Sequence, residues 1–387
     1  MRLLDAVLRK GLPLEAALDT AARDLKRPED RALAHAIAAE ALRRLADLDA
    51  LIDSATRKRL PDDAKARFAL RIVLVQALAL GTPPHAAIST VLPLVDGGPR
   101  KLVHGVFGAL MRQNAALPGM PSLPAPVGER WREQWGDDMV AAAERAIAAP
   151  PPIDLIGDPP AGVEGISLQP GHLRLPRGTA VAGLPGYEDG KWWVQDISAS
   201  MPASLLGDGN GRTVLDLCAA PGGKTMQLAK AGWTVTAVDV SESRLARLSQ
   251  NLERTGLSAR VVAADIMTWS PPGQVDAILL DAPCSATGIF RRHPDVLHRV
   301  RPRAIAELAE GQAAMLARVA GWLKPGGKLV YAVCSLERQE GEHVLAAFLD
   351  KRGDYRIEAE HRLLPGRFEV EGGADGFFIA LLTRIGA

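Results

Sequence analysis

Two hydrophobic rhythms divide this 387-residue chain. Up to about residue 115, apolar side chains recur three and four positions apart: Leu4, Val7 and Leu8; Leu45, Leu48 and Ile52; Val103, Val106, Phe107 and Leu110. This is the spacing of one helix face, so an all-α region is expected. Gly81-Thr82-Pro83-Pro84 breaks the pattern between two of these helices. Residues 117–127 hold four prolines and little periodicity, which reads as a linker. A helical piece is expected from about Gly128 to Ala149, ended by Pro150-Pro151-Pro152. Residues 153–190 are rich in Gly and Pro with short apolar runs such as Val181-Ala182-Gly183-Leu184, and read as a small α+β piece.

From Thr213 strand-like runs alternate with helical ones. Val214-Leu215-Asp216-Leu217 precedes a helix from about Lys224, and Val235 to Asp239 precedes one from Ser243 to about Thr255. Ala259-Arg260-Val261-Val262 and Ala277-Ile278-Leu279-Leu280 follow as strands. A long helix over Pro302 to Leu323, a strand over Lys328 to Val333 and a helix over Gly341 to Leu349 complete the series. Such alternation predicts an α/β fold with a parallel, doubly wound sheet. Ligands of these sheets bind beyond the carboxyl ends of the strands. The expected domains are 1–116, all-α; 128–195, small α+β; and 196–387, α/β. No internal repeat is visible.

Composition narrows the class. With 47% hydrophobic residues a sizeable core can form. No stretch is long and apolar enough to span a bilayer, and Met1-Arg2-Leu3-Leu4-Asp5 does not open like a secretory signal. The three cysteines, Cys218, Cys284 and Cys334, are too few for a disulfide framework and lack the paired spacing of a zinc site. A cytoplasmic, metal-free monomer is expected. The net charge of +1 is uneven: residues 1–115 carry 18 Lys+Arg against 13 Asp+Glu, leaving −4 for the remainder. A basic helical region is compatible with nucleic acid, and equally with a solvated surface.

The first strand runs into Cys218-Ala219-Ala220-Pro221-Gly222-Gly223-Lys224-Thr225. Its Gly-Lys-Thr ending invites a P-loop reading, but that motif places its first Gly where Cys218 stands. The alternative is a loop for an adenosine cofactor. Glycines admit the ligand to the backbone, and the following helix offers N-terminal amides to a carboxylate. Asp239 ends the next strand, where an acid can hold ribose hydroxyls. Asp265, after the third strand, is placed to meet an adenine amino group.

Asp281-Ala282-Pro283-Cys284-Ser285 closes the fourth strand and Cys334-Ser335 the fifth. In a parallel sheet these ends can be neighbours, bringing one carboxyl and two thiols together. Methylating C5 of cytosine needs such a set. C5 is too electron-poor to attack a methyl sulfonium, but a thiolate adding to C6 makes it nucleophilic. An acid at N3 assists, a role suited to Asp281. Spacing leaves open which thiol attacks, while Cys218 reads as structural. Arg291, Arg292, His293, Arg299, Arg301 and Arg303 follow Cys284 with one acid, Asp295, a cluster suited to phosphates or to a solvated loop.

These residues resemble the Sun-type RNA cytosine-C5 methyltransferases. The matching segments are Leu215 to Thr225, Asp281 to Gly288, Cys334-Ser335, Trp193-Val194-Gln195-Asp196 with Ser198, Arg291 to Asp295, and Asp375-Gly376-Phe377-Phe378. The resemblance implies a Rossmann-like class I fold and S-adenosyl-L-methionine bound by Cys218 through Lys224, Asp239, Asp265 and Asp281. It makes Cys334 the nucleophile, with Cys284 assisting product release. Residues 1–116 resemble the NusB-like RNA-binding domain of the family's 16S ribosomal RNA branch, and Ala286, where other branches often have Gly, fits that branch. Ile153-Asp154-Leu155-Ile156-Gly157-Asp158 departs from the Leu-Arg-Val-Asn of many members. RNA, most simply 16S ribosomal RNA, is the expected partner. Another nucleic acid, tRNA or DNA, and a non-catalytic ribosome-assembly role are the competing readings.

Overall fold

The helical rhythm of the first 115 residues is realised as helices Arg2–Leu8, Leu14–Ala21, Pro28–Arg43, Leu45–Ser54, Lys65–Leu78, Pro84–Val91 and Gly97–Arg112. A computed structural model describes residues 1–148 and 151–386 of the chain. It divides into two units, Met1–Ala149 with Phe290–Val300, and Pro150–Ile289 with Arg301–Ala387. Among the described residues no helix is long and apolar enough to cross a membrane.

In the first unit the periodic positions are the buried ones: Val7, Leu48, Ile52, Val103 and Leu110 lie in one core. The helix Lys65–Leu78 is buried continuously from Ala66 to Val75, two arginines included. Arg67 is held by both carboxylate oxygens of Asp53 and Arg71 by both of Asp49. Buried guanidinium groups need such two-pronged partners. Two of the basic residues counted above are therefore spent inside the unit.

Helices Ala125–Trp135 and Asp137–Ala148 complete the linear part, parted at Gly136 (φ 85°). Ala149 and Pro150, where the sequence places the helix end, lie outside the described residues.

The segment Phe290–Val300 belongs to this unit as well. Phe290 packs on Trp131 with ring centroids 5.4 Å apart. His298 Nε2 lies 2.7 Å from the Leu42 carbonyl. Burial lowers this imidazole to about 4, so near neutral pH its N–H donates to that oxygen. The arginine cluster is thus not uniformly free for phosphates. Arg291 is 2% exposed, and Arg299 is paired with buried Asp295 at 3.0 Å. The apolar Phe290, Val296 and Leu297 draw the segment inward.

The second unit opens with β1 (Ile153–Gly157), β2 (His172–Leu175) and β3 (Trp192–Val194), an antiparallel sheet ordered β2-β1-β3. Buried Asp154 accepts both arms of Arg174 at 2.7 and 2.8 Å. Arg174 also donates to the Glu371 and Gly373 carbonyls, tying the small sheet to the last loop of the unit.

The main sheet contains β4 (Thr213–Leu217), β5 (Thr234–Asp239), β6 (Arg260–Ala263), β7 (Val275–Asp281), β8 (Leu323–Val333), β9 (Tyr355–Leu363) and β10 (Phe377–Arg384), ordered β6-β5-β4-β7-β8-β10-β9. The first five are parallel, as the alternation predicts. The sheet as a whole is mixed, because β10 runs antiparallel to both β8 and β9. The wholly parallel expectation lacked these two strands. They come after the last helix with no crossover between them, and that β-α alternation is what marks parallel strands. The register places Leu217 beside Leu280 and Asp281 beside Ala332, so the loops after β4, β7 and β8 leave the sheet at one edge.

Candidate active site

The loop after β4 is shaped by its backbone. Cys218 sits at φ 60° and Gly222 at φ 105°, and a Cβ on Gly222 would come 2.8 Å from the Leu248 side chain. Buried Asp239 closes the loop: its Oδ2 accepts the Ala220 amide at 3.1 Å and its Oδ1 the Ser241 amide at 2.9 Å. Arg244 donates to the Ala220 carbonyl from outside. Beside this lies a slot of about 80 Å³ lined by Cys218, Asp239, Val240, Asp265, Ile266 and Pro283, among others. Two carboxylates between apolar walls are the acceptor set that the hydroxyls and amine of a nucleoside need. The chemistry around this loop suits the adenosyl group it is expected to hold. Burial, then the charges of Asp281, Asp239 and Asp216, push the Cys218 thiol up to about 12, so it stays protonated near neutral pH.

Lys224 turns away from this slot. Its Nζ is 2.8 Å from Asp281 Oδ2, which spends on a carboxylate the charge a P-loop would offer to phosphates. Burial disfavours the ammonium, but the charge and hydrogen bond of Asp281 outweigh it, and the Lys224 pKa is raised. Both residues line a second cavity of about 390 Å³, with Trp193, Gln195, Asp216 and Pro221 among its walls. Upstream, Asp196 Oδ1 accepts the amides of Ser198 and Asp375, so the segments around 195 and 375 meet here.

Asp216 was not singled out from sequence. It is fully buried in β4; Thr225 Oγ1 donates to its Oδ2 at 2.6 Å, while Oδ1 has no partner among the described residues. The available signal was an acid inside the apolar run Val214 to Leu217. Burial pushes its carboxyl up to about 7 against the pull of Thr225 and Lys224. A folded-state value above the unfolded one means stability falls as pH rises from about 4 to about 7, then levels off. Asp216→Asn is therefore expected to gain stability over the parent progressively between pH 5 and 8, by on the order of 2–4 kcal/mol at the upper end. Thermal unfolding across that range checks this, and a gap independent of pH would refute it.

The two cysteine turns meet at the ends of β7 and β8. Cys284 Sγ is 3.4 Å from Cys334 Sγ. The Gly288 amide donates to the Cys334 carbonyl and the Gly376 amide to the Gly288 carbonyl, at 3.0 and 2.9 Å. A Cβ on Gly288 would collide with the Gly376 carbonyl, so this crossing requires glycine. Ala286 adopts φ 57°, a conformation glycine takes without strain. Cys284 is pushed well above the usual thiol range by the adjacent Cys334 sulfur, by burial and by the Glu340 charge. Glu340, fully buried behind both turns, also escaped the sequence reading, because nothing in a helix-leading Glu-Gly-Glu announces burial.

The structure thus gathers Cys284 and Cys334 at one point and joins Lys224 to Asp281 on the same sheet edge. Asp239, Asp265 and Cys218 line the neighbouring slot. Comparison with known proteins gives two family matches. Residues 203–383 match the 16S rRNA methyltransferase RsmB/F family and residues 1–112 the NusB family. A ribosomal RNA small subunit methyltransferase B of Klebsiella pneumoniae subsp. pneumoniae is 35% identical, with 98% of this chain and 96% of that protein aligned. The protein of the same description from Xylella fastidiosa is 35% identical over 99% and 96%. The crystal structure of PH0851 shares the fold at a TM-score of 0.77, with 23% identity over 99% of this chain and 98% of that one. At this identity and coverage, the chain belongs to the ribosomal RNA small subunit methyltransferase B family.

Proposed function

We propose that this protein methylates C5 of a cytosine in small-subunit ribosomal RNA, with Cys334 as the attacking thiolate. The observation that carries the reading is the pair of thiols 3.4 Å apart at the ends of adjacent parallel strands, one of which also ends in Asp281. A methyl transfer to a nitrogen or a ribose oxygen has no use for paired thiols. Attack on C6 of a pyrimidine does.

S-Adenosyl-L-methionine, held by Cys218 through Lys224 with Asp239, Asp265 and Asp281, supplies the electrophilic methyl group. Cys334 adds to C6, and the electron pair of the C5–C6 bond is displaced towards C5 and N3. The Asp281 carboxylate, hydrogen-bonded by the Lys224 ammonium, passes a proton from it to N3, where negative charge would otherwise build. Once C5 carries its methyl group, H5 leaves as a proton to solvent water, its bonding pair reforms the C5–C6 double bond, and the C6–S bond breaks to return the Cys334 thiolate. Cys284 suits this last step. Held as a thiol, it donates a hydrogen bond to the departing sulfur.

The test is small-subunit RNA carrying 5-fluorocytosine, incubated with the protein and cofactor. Fluorine cannot leave as a cation, so the covalent adduct persists. The expected result is a denaturation-resistant protein–RNA complex joined through Cys334, and 5-methylcytidine in digests of unmodified RNA. Label on duplex DNA alone would replace the reading with a DNA substrate. RNA binding with no cofactor binding would leave an assembly factor.

A further inference from the structure

Behind the paired cysteines lies a carboxylate that the chemistry above does not touch. Glu340 is fully buried and collects four donors. Its Oε2 accepts the hydroxyls of Ser285 and Ser335, both at 2.5 Å. Its Oε1 accepts the Ser285 amide at 2.8 Å and Gln312 Nε2 at 3.0 Å. The same Gln312 amide donates to the Pro283 carbonyl at 2.9 Å. Ser285 and Ser335 are the residues directly after Cys284 and Cys334, and they come from strand ends 50 residues apart in sequence.

A buried carboxylate is an expensive way to gain stability. Desolvation opposes its charge, and such groups are often neutral or worse than apolar replacements. What it provides is geometry, since a fully satisfied buried network fixes its members. We propose that Glu340 is the positioning residue of the cysteine pair, holding the Cys284–Ser285 and Cys334–Ser335 turns to one carboxylate so that the two thiols face each other. The hydroxyl after each cysteine is the handle by which its turn is held. Thr287 gives a secondary tie by accepting the Leu336 amide at 3.0 Å, but it grips neither cysteine turn by charge. The inference rests on the cysteine chemistry proposed above, and its test separates the two.

Full-length Glu340→Ala, Glu340→Gln and Tyr331→Phe proteins are compared with the parent. Tyr331 donates to the Glu340 main-chain carbonyl at 2.5 Å and lies 3.2 Å from Gln312 Oε1, so its variant loses a buried hydrogen bond while every donor to the Glu340 carboxylate stays in place. The first readout is cross-linking by diamide without RNA. Two thiols give up two protons and two electrons to form a disulfide, and the diazene is reduced to the hydrazine. Peptide mass spectrometry follows the Cys284–Cys334 product. The second readout is kcat and KM for small-subunit RNA.

Glu340→Ala is expected to slow cross-linking by about tenfold or more and to lower kcat to a similar degree with KM little changed, since ångström-scale misplacement has effects of this size. Glu340→Gln, which keeps an acceptor for the Ser285 amide, should recover most of the cross-linking rate, and Tyr331→Phe should keep it. A folded Glu340→Ala protein that cross-links at the parental rate overturns the proposal. So does equal slowing by Tyr331→Phe, or a parent that does not cross-link. If Glu340→Ala does not fold, the Ser285→Ala/Ser335→Ala double variant decides: it must slow cross-linking, or the proposal falls. Cross-linking as expected, with no trapping of the parent on 5-fluorocytosine RNA, would keep the positioning role and remove the proposed function.

Discussion

Cys334→Ser is expected to form no covalent complex with 5-fluorocytosine RNA and to lose methyl transfer by about 10³-fold or more, while Cys284→Ser traps normally. The choice of Cys334 as the attacking sulfur follows the family resemblance, and the surroundings of Cys284 suit the other part. Cys284 is half-buried, faces Cys334 at 3.4 Å and feels the Glu340 charge, and together the adjacent sulfur, desolvation and that charge favour its thiol. A sulfur kept as a thiol is a poor nucleophile, but its S–H, a weak donor, can be offered to the facing sulfur. Losing it should therefore spare the attack and impair the return. On ordinary RNA, Cys284→Ser should methylate once and then stall as a covalent complex visible after denaturation. Single-turnover product analysis beside denaturing gels measures both steps. Trapping of Cys334→Ser through Cys284 would reverse the assignment.

Asp281→Asn and Lys224→Met are expected to lower kcat by about 10²- to 10⁴-fold, the usual weight of a positioned proton-transfer group with its electrostatic partner. The ion pair at 2.8 Å is only partly accessible, with 11% of the Lys224 and 28% of the Asp281 side chain exposed. Its field is therefore less screened than that of a surface pair. Lys224→Met also leaves the Asp281 carboxylate without its counter-charge. The two effects should be non-additive: the double variant is expected to be little worse than the more impaired single variant. Presteady-state trapping rates on fluorinated RNA report the attack alone. Unchanged trapping in Asp281→Asn would remove that residue from the first step.

The helical face of residues 1–115 and the five parallel strands were legible because each element repeats its own period and buries the positions that period marks. Val103 and Leu110, read from spacing, are fully buried. Strands β9 and β10 were missed because they follow the last helix with no crossover between them, outside the alternation that marks the parallel strands. The arginines after Cys284 looked like one basic cluster. Arg291 is nevertheless buried, because the apolar residues on either side carry it inward.

The sequence by itself determined which chemical groups this protein owns and that they stand at strand ends. Alternation sets the strand, and the residues at or just after its end, Cys218, Asp281 and Cys334, follow from counting. Only the tertiary structure decided which of those ends meet. Adjacency of β7 and β8 brings Cys284 to Cys334, and the fold sends Lys224 to Asp281 rather than to a phosphate site. It also drew in Asp216 and Glu340, two acids whose importance lies in being buried. Burial depends on what the rest of the chain packs against, and a local pattern of residues does not carry that.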